Sequence, residues 1–315
     1  LDRYLKRRDL RASDSTEQDR RRRKEWARVE FFRKRFRGRL AGDITSKDIE
    51  EVYRELRERA LPPRGDSKAP RKSAPATVNR YMKLIHAVLR FGVRQGLISA
   101  NPASALEFLK ENNARNRCLS DEEAGRLMAA LPEWLRPLVI VAVHTGMRRG
   151  ELLDLRWSDA DLVNGQLRIR RDKAGDGRWV ALNSEALAAL KALKRDRTIM
   201  SPLVFCSPEG KTLRTNFGRY WRGVLAKAKV HDFRFHDLRH TFASWLVMDG
   251  VDLYTVQRAG GWKTATMVQR YAHLSPEHMR AAVERLAQRT NGSAAGTGTK
   301  TGTRPTTAGY ADAAG

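Results

Sequence analysis

The sequence is poor in anything that would cross-link it, bind a structural metal or seat it in a membrane. Of 315 residues only two are cysteine, Cys118 and Cys206. They stand far apart and without metal-ligand spacing. This argues against a zinc site or a disulfide framework and reads as free thiols in a reducing cytosol. No apolar run approaches the roughly 18 residues of a membrane-spanning helix, and no signal peptide is recognisable, so no membrane role is expected. Acidic residues are also scarce: 36 Asp and Glu stand against 61 Lys and Arg, a formal net charge of +25. Such an excess can merely aid solubility, but it also gives the chain affinity for polyanions, with nucleic acid the leading partner. The excess is spread over the chain, with net +15 over residues 1–117 and +9 over 118–290. Both large segments are therefore expected to touch the polyanion.

What is present is ordinary globular material, 41% hydrophobic and 31% charged, long enough for two domains. The chain opens on Leu1, not Met, directly into a helical pattern, so an N-terminal piece is expected to be missing. Trp26, Val29, Phe32 and Phe36 recur at helical spacing over 18–36. Thr45 to Asp48 predicts a capping box, and Ile49, Val52 and Leu56 form the apolar stripe behind it. Residues 61–75, rich in Pro, Gly, Lys and Arg, predict a loop. A further helix from Thr77 to about Gln95 presents Val78, Tyr81, Ile85, Val88 and Leu89, and a turn follows at Asn101-Pro102. These elements predict an all-helical basic bundle over 1–110, and a linker over 111–118.

A second domain is expected over 119–290. Ser120 to Glu123 is a capping box, and Leu138 to Val143 a buried helical segment. Around 166–182 the period shortens. Leu167 and Ile169 alternate with arginines, Ala174 to Gly177 turns the chain, and Val180 and Leu182 alternate again, which predicts a β-hairpin. Helices return at 184–195, 214–228, 236–248, 252–259 and 276–289, the last opened by Ser275-Pro276. Residues 291–315, mostly Gly, Thr and Ala, predict a disordered tail.

Two arginines suit a phosphodiester. A phosphorane carries extra charge on its non-bridging oxygens, and guanidinium forks stay protonated and bind bidentately. Arg148 follows the turn Thr145-Gly146. Arg239 lies at i+3 from His236, so both share one helix face. Among the tyrosines, Tyr81 falls on a core stripe, Tyr53, Tyr220 and Tyr254 read as helix packing residues, and Tyr310 lies in the tail. Tyr271 stands between Arg270 and His273, shortly after Gly260-Gly261-Trp262. With an ordinary pKa near 10, its phenol needs a base or a positive field to act as a nucleophile. Any one of these residues alone reads as structural.

In this order, Thr145-Gly-Met-Arg148-Arg-Gly-Glu151-Leu, His236-Asp-Leu-Arg239-His240-Thr-Phe-Ala-Ser, Gly261-Trp262 and Arg270-Tyr271-Ala-His273-Leu resemble the tyrosine recombinase (phage integrase) family. The resemblance covers roughly residues 1–290 and is more specific in the second half. It implies an N-terminal all-α core-binding bundle (SAM-like) and a C-terminal mixed α+β, mostly helical catalytic domain, closing as a clamp on duplex DNA. It implies that Arg148 and Arg239 hold the scissile phosphate, that His236 donates to the phosphate or helps remove the nucleophile's proton, and that Glu151, one turn after Arg148, orients the site from behind, where it could equally form an ordinary helix salt bridge. It implies that Lys173 protonates the leaving 5′ oxygen and that Tyr271 forms a 3′-phosphotyrosyl link. Trp262 stands where histidine is commoner. Its indole donates a hydrogen bond but exchanges no proton.

The implied reaction is transesterification without metal or cofactor. Its implied partners are double-stranded DNA with inverted-repeat core sites, a homotetramer on two duplexes and, in some systems, a directionality factor. The implied setting is the bacterial cytoplasm, at the nucleoid. Met279, Val283 and Leu286 on the last helix would dock a neighbour or pack at home. Trp262 and a missing arm-binding segment favour a phage or mobile-element integrase. A chromosome-dimer resolvase, a catalytically silent DNA-binding regulator and a type IB topoisomerase are the alternatives.

Overall fold

The computed structural model describes residues 4, 16–61, 70–112, 115–170, 177–197, 200–274 and 283–284, with the side chains of 16–24 excepted. Lys173, the tip of the predicted hairpin, most of the predicted 276–289 helix and the 291–315 tail lie outside the described residues. The chain divides into two compact units, Leu1–Ala114 and Arg115–Gly315.

In the first unit α1 (Thr16–Arg35), α2 (Ser46–Glu58) and α3 (Pro75–Arg94) share one core. Val29 and Phe32 come from α1, Ile49, Val52 and Leu56 from α2, and Val78, Met82, Ile85 and Leu89 from α3. The spacing of three and four residues puts each set on one helix face. Thr45 caps α2 as expected. Its hydroxyl accepts from the Asp48 amide, and the Asp48 carboxylate accepts from the Thr45 amide at 2.8 Å. Pro75 at the first turn starts α3 two residues earlier than predicted, since proline there sacrifices no helix hydrogen bond. Buried Asn79 ties the following segment to α3. Its amide nitrogen donates to Leu109 O and Glu111 Oε1, both at 2.8 Å, and its Oδ1 accepts from Leu109 N at 2.9 Å.

Two expectations for this unit need correction. The segment read as a loop over 61–75 contributes to a short antiparallel ladder, β1 (Ala60–Leu61) with β2 (Arg71–Lys72), so the unit is not purely helical. Trp26, placed on the apolar stripe by spacing, is 41% exposed, and the Arg33 guanidinium lies 5.4 Å from its ring centre. The cation over the indole face gives it a partner outside the core.

The second unit is mostly helical with a small sheet. Its helices are α4 (Asp121–Ala130), α5 (Arg136–Thr145), α6 (Arg149–Leu153), α7 (Ser184–Arg195), α8 (Phe217–Ala228), α9 (Asp237–Met248), α10 (Leu253–Gly260) and α11 (Thr266–Gln269). The hairpin strands β4 (Gln166–Ile169) and β5 (Arg178–Ala181) are joined by a third, β3 (Ala160–Asp161), in the order β3-β4-β5, all antiparallel. Leu167 pairs with Val180 and Ile169 with Arg178, so these four side chains share the inner face. The predicted 214–228 helix starts only at Phe217. Tyr254, expected to pack, is 68% exposed on α10.

A large core gathers Leu138 and Val141 of α5, Leu152 of α6, the sheet residues Leu167 and Val180, Leu190 of α7, and Phe217 and Trp221 of α8. A smaller cluster holds Phe242, Ala243 and Val247 of α9 with Val256, Trp262, Val268 and Tyr271. Trp262 and Tyr271 thus belong to a packed core, which fixes their rings. Among the described residues no helix is long and apolar enough to cross a membrane.

Candidate active site

The site is built where α5 ends and α9 begins. Helix α5 stops at Gly146, whose φ of +59° is left-handed; its amide closes the helix on Ala142 O. A Cβ here would also strike the Phe242 ring of α9. Glycine therefore lets the two helices approach and turns the Gly146 carbonyl towards α9. The next residues open α6 with Arg148 as its N-cap. Glu151 accepts from the Arg148 amide at 2.9 Å and from Arg148 Nη1 at 2.7 Å. Arg148 Nη2 reaches Gly261 O at 3.3 Å.

Glu151 binds a second arginine. Arg178 Nη1 and Nη2, from the start of β5, donate to its two oxygens at 3.1 and 3.0 Å. Burial pushes the Glu151 carboxyl upward, but the Arg178 and Arg148 guanidinium groups outweigh it and hold the pKa at about 2. Arg178 was not singled out in the sequence. Its signal was parity: it stands two residues before Val180, on the inner face of the strand, where an arginine needs a buried partner. Gly261, at φ +67°, leaves room for it, since a Cβ there would meet Arg178 Nε at 2.5 Å.

Arg239 projects from α9 into the protein and is 4% exposed. Its Nη1 donates to Gly146 O at 2.5 Å and to Gly260 O at 2.7 Å. The guanidinium carbon lies 3.8 Å from the centre of the Trp262 ring. Burial and the charge of Arg148 pull its pKa down to about 9, so it remains a cation at neutral pH. Its Nη2 is buried and finds no hydrogen-bond partner among the described residues. A buried, charged donor without an acceptor is costly, and an anionic oxygen is the group that satisfies it.

The start of α9 is anchored by Asp237, which is 1% exposed. It accepts from the Arg234 amide at 2.8 Å and from Arg115 Nε and Nη2 at 3.1 and 2.9 Å. This fixes His236 at the N-cap, on the exposed rim of the site. One turn on, the His240 ring lies 5.4 Å from that of His236. His240 Nδ1 is 2.5 Å from the hydroxyl of Tyr271. Sequence reasoning passed over His240, although it stands at i+4 from His236 and so on the same helix face.

Tyr271 is 1% exposed and its ring centre lies 6.2 Å from that of Trp262, edge to face. Burial raises the phenol to about 12, with Arg270 and Arg239 opposing the rise. The structure therefore brings Arg148, Glu151, His236, Arg239, Trp262 and Tyr271 into one connected constellation. It adds Arg178 and His240, and leaves Lys173 outside the described residues.

This arrangement can bind an anionic oxygen between guanidinium groups beside a buried phenol. Comparison with known proteins bears on the lineage of the chain. Residues 117–278 match the phage integrase family. The integrase of Salmonella phage P22 is 31% identical over 280 residues, covering 80% of this chain and 72% of that protein. The tyrosine recombinase XerC of Lactobacillus delbrueckii subsp. bulgaricus is 28% identical over 230 residues, covering 66% and 75%. Among solved structures, a lambda integrase dimer bound to a COC′ core site superposes with a TM-score of 0.65 at 22% identity, over 86% of this chain and 93% of that one. A lambda integrase tetramer bound to a Holliday junction gives 0.63 at 23%, over 84% and 76%. The two structural likenesses speak for the fold, and the family match for the lineage. The chain belongs to the phage integrase family and is a tyrosine site-specific recombinase.

Proposed function

We propose that the chain integrates and excises a phage or other mobile element, with the first unit as the core-binding domain and the second as the catalytic domain. The observation that carries the strand-transfer chemistry is the buried Arg239 guanidinium, held by two carbonyls with Nη2 unsatisfied, next to the buried Tyr271. Arg239 and Arg148 receive the non-bridging oxygens of the scissile phosphate and stabilise the charge that builds in the phosphorane. Glu151, with Arg178 on its other side, keeps Arg148 aimed. Trp262 lies under Arg239 and supplies an N–H donor without proton exchange. His236, at the rim, donates to the phosphate. Tyr271 attacks in line and forms the 3′-phosphotyrosyl ester. Lys173 protonates the departing 5′ oxygen. A 5′ hydroxyl from the partner duplex then reverses the step.

Two duplexes require four protomers, in line with the lambda integrase tetramer on a Holliday junction. The DNA partner carries inverted-repeat core sites, and a directionality factor would choose between integration and excision. The net charge of +25 supports tight contact with phosphates on both units. The likeness to the P22 integrase over 80% of the chain supports the integrase reading. Dimer resolution by the same chemistry is the second reading.

The test is a core-site duplex nicked near the crossover, which traps the covalent intermediate. A protein–DNA adduct is expected with the wild type and none with Tyr271→Phe, at equal DNA binding. Tight binding to the cognate site without any adduct would overturn the catalytic assignment. Products joined only between sites on a replicon dimer, with none between element and target, would favour resolution.

A further inference from the structure

We propose that His240 is the catalytic base that takes the Tyr271 proton, a role that neither the motif reading nor the family roles above give it. The inference rests on the reading of Tyr271 as nucleophile. The geometry is direct: His240 Nδ1 lies 2.5 Å from Tyr271 Oη, and among the described residues this is the one hydrogen bond the hydroxyl makes. The direction of that bond follows from burial. A phenol that is 1% exposed must place its proton on an acceptor, and the neutral imidazole nitrogen is the acceptor within reach. If His240 donated instead, the phenol proton would be left unsatisfied inside the core.

The surroundings keep the imidazole neutral, as an acceptor must be, while making it a weaker base than a free one. Burial lowers the His240 pKa to about 4, with the neighbouring His236 next in effect. Asp237 opposes them, and the Arg270 and Arg239 charges lower it further. His240 is therefore neutral at physiological pH, with Nδ1 free of a proton when Nε2 carries it. Helix α9 fixes one wall of the pair and the segment after α11 the other, and the ring centres lie 5.9 Å apart. His236 is placed differently, at the exposed rim, and has no hydrogen bond to Tyr271.

The step balances as follows. The Tyr271 O–H bond breaks and its proton moves to His240 Nδ1 while Oη bonds to phosphorus. The P–O5′ bond breaks, and the 5′ oxygen takes a proton from the Lys173 ammonium assigned under the proposed function. In the rejoining step His240 returns its proton to Tyr271 as the P–Oη bond breaks. The guanidinium groups of Arg239 and Arg148 stabilise the phosphorane between the two states. A histidinium formed in this buried site is a strong acid, so the proton leaves Tyr271 only as the Oη–P bond forms, and its return is favoured.

Single-turnover cleavage of the nicked core-site duplex separates this role from its rivals. His240→Ala should slow adduct formation by roughly 100-fold or more, the range of a lost general base, with DNA affinity and helical content unchanged. His240→Asn places Oδ1 near the Nδ1 position and keeps the acceptor but takes no proton. It should be about as slow as the alanine variant. A bridging 5′-phosphorothiolate gives a leaving group that needs no protonation. It should restore Lys173→Ala and leave both His240 variants slow. Wild-type rates in His240→Ala, recovery in His240→Asn, or rescue of His240 variants by the phosphorothiolate would each overturn the assignment. Absence of an adduct with the wild-type protein would instead refute the nucleophile assignment on which it rests.

Discussion

Replacing Glu151 with glutamine removes one charge and almost no volume from the point where two arginines meet. Glu151 accepts from Arg148 and from both terminal nitrogens of Arg178, and its carboxylate side chain is 9% exposed. Its pKa falls from the ordinary 4.5 to about 2 in the folded chain. That fall corresponds to about 3 kcal/mol of stability at pH 7. The folded pKa is depressed, so the contribution is complete above the unfolded value near 4.5 and is lost as pH drops through 2. At pH 3 about half should remain. Six of the seven tryptophans lie in the second unit, so intrinsic fluorescence follows its unfolding. In urea at pH 7, Glu151→Gln should lower the midpoint of that transition by about 1 M. The gap between variant and wild type should narrow towards pH 3. Equal midpoints at pH 7, or a gap that does not change with pH, would refute the view of Glu151 as the charged hub of the two arginines.

Two further outcomes follow from the geometry. Gly146→Ala forces a side chain into left-handed backbone and against Phe242. It should cost about 2–3 kcal/mol and slow adduct formation at least tenfold, because the Gly146 carbonyl holds Arg239; wild-type melting and cleavage would contradict this. In the first unit, Asn79→Ala strands the amide and carbonyl of Leu109 and should cost about 2–3 kcal/mol. Hydrogen exchange at the Leu109 amide should accelerate, and unchanged protection would show that Asn79 is not the tie.

Local features of the fold were legible because their causes are local. The Thr45 and Ser120 capping boxes, the stripe Ile49, Val52, Leu56 and the pairing of Leu167 with Val180 depend on neighbours a few residues away. The exposure of Trp26 and Tyr254 was not legible, since spacing fixes a helix face but not whether anything covers it. In the site, motif order singled out Arg148, His236, Arg239 and Tyr271. The contacts that give them meaning span long stretches of chain, such as Arg239 to Gly146 and Arg148 to Gly261. Arg178 was hidden among 61 basic residues, where only its strand parity marked it. His240 looked like one more helical residue until Tyr271, 31 positions later, came to lie against it.

Arg239 has a consequence for how this protein can change. Among the described residues the protein offers it two carbonyls and an indole face, but no carboxylate within ion-pair reach. A buried cation supported in this way weakens the fold that carries it, and an apolar side chain of similar length would pack there at lower cost. On the role proposed for Arg239, substitutions towards leucine or methionine at this position would be gains in robustness at the expense of recombination. A lineage selected for persistence alone would drift towards them, and a silent copy of the gene would lose this arginine early. Here the capacity to bind a phosphate and the durability of the chain are opposing quantities.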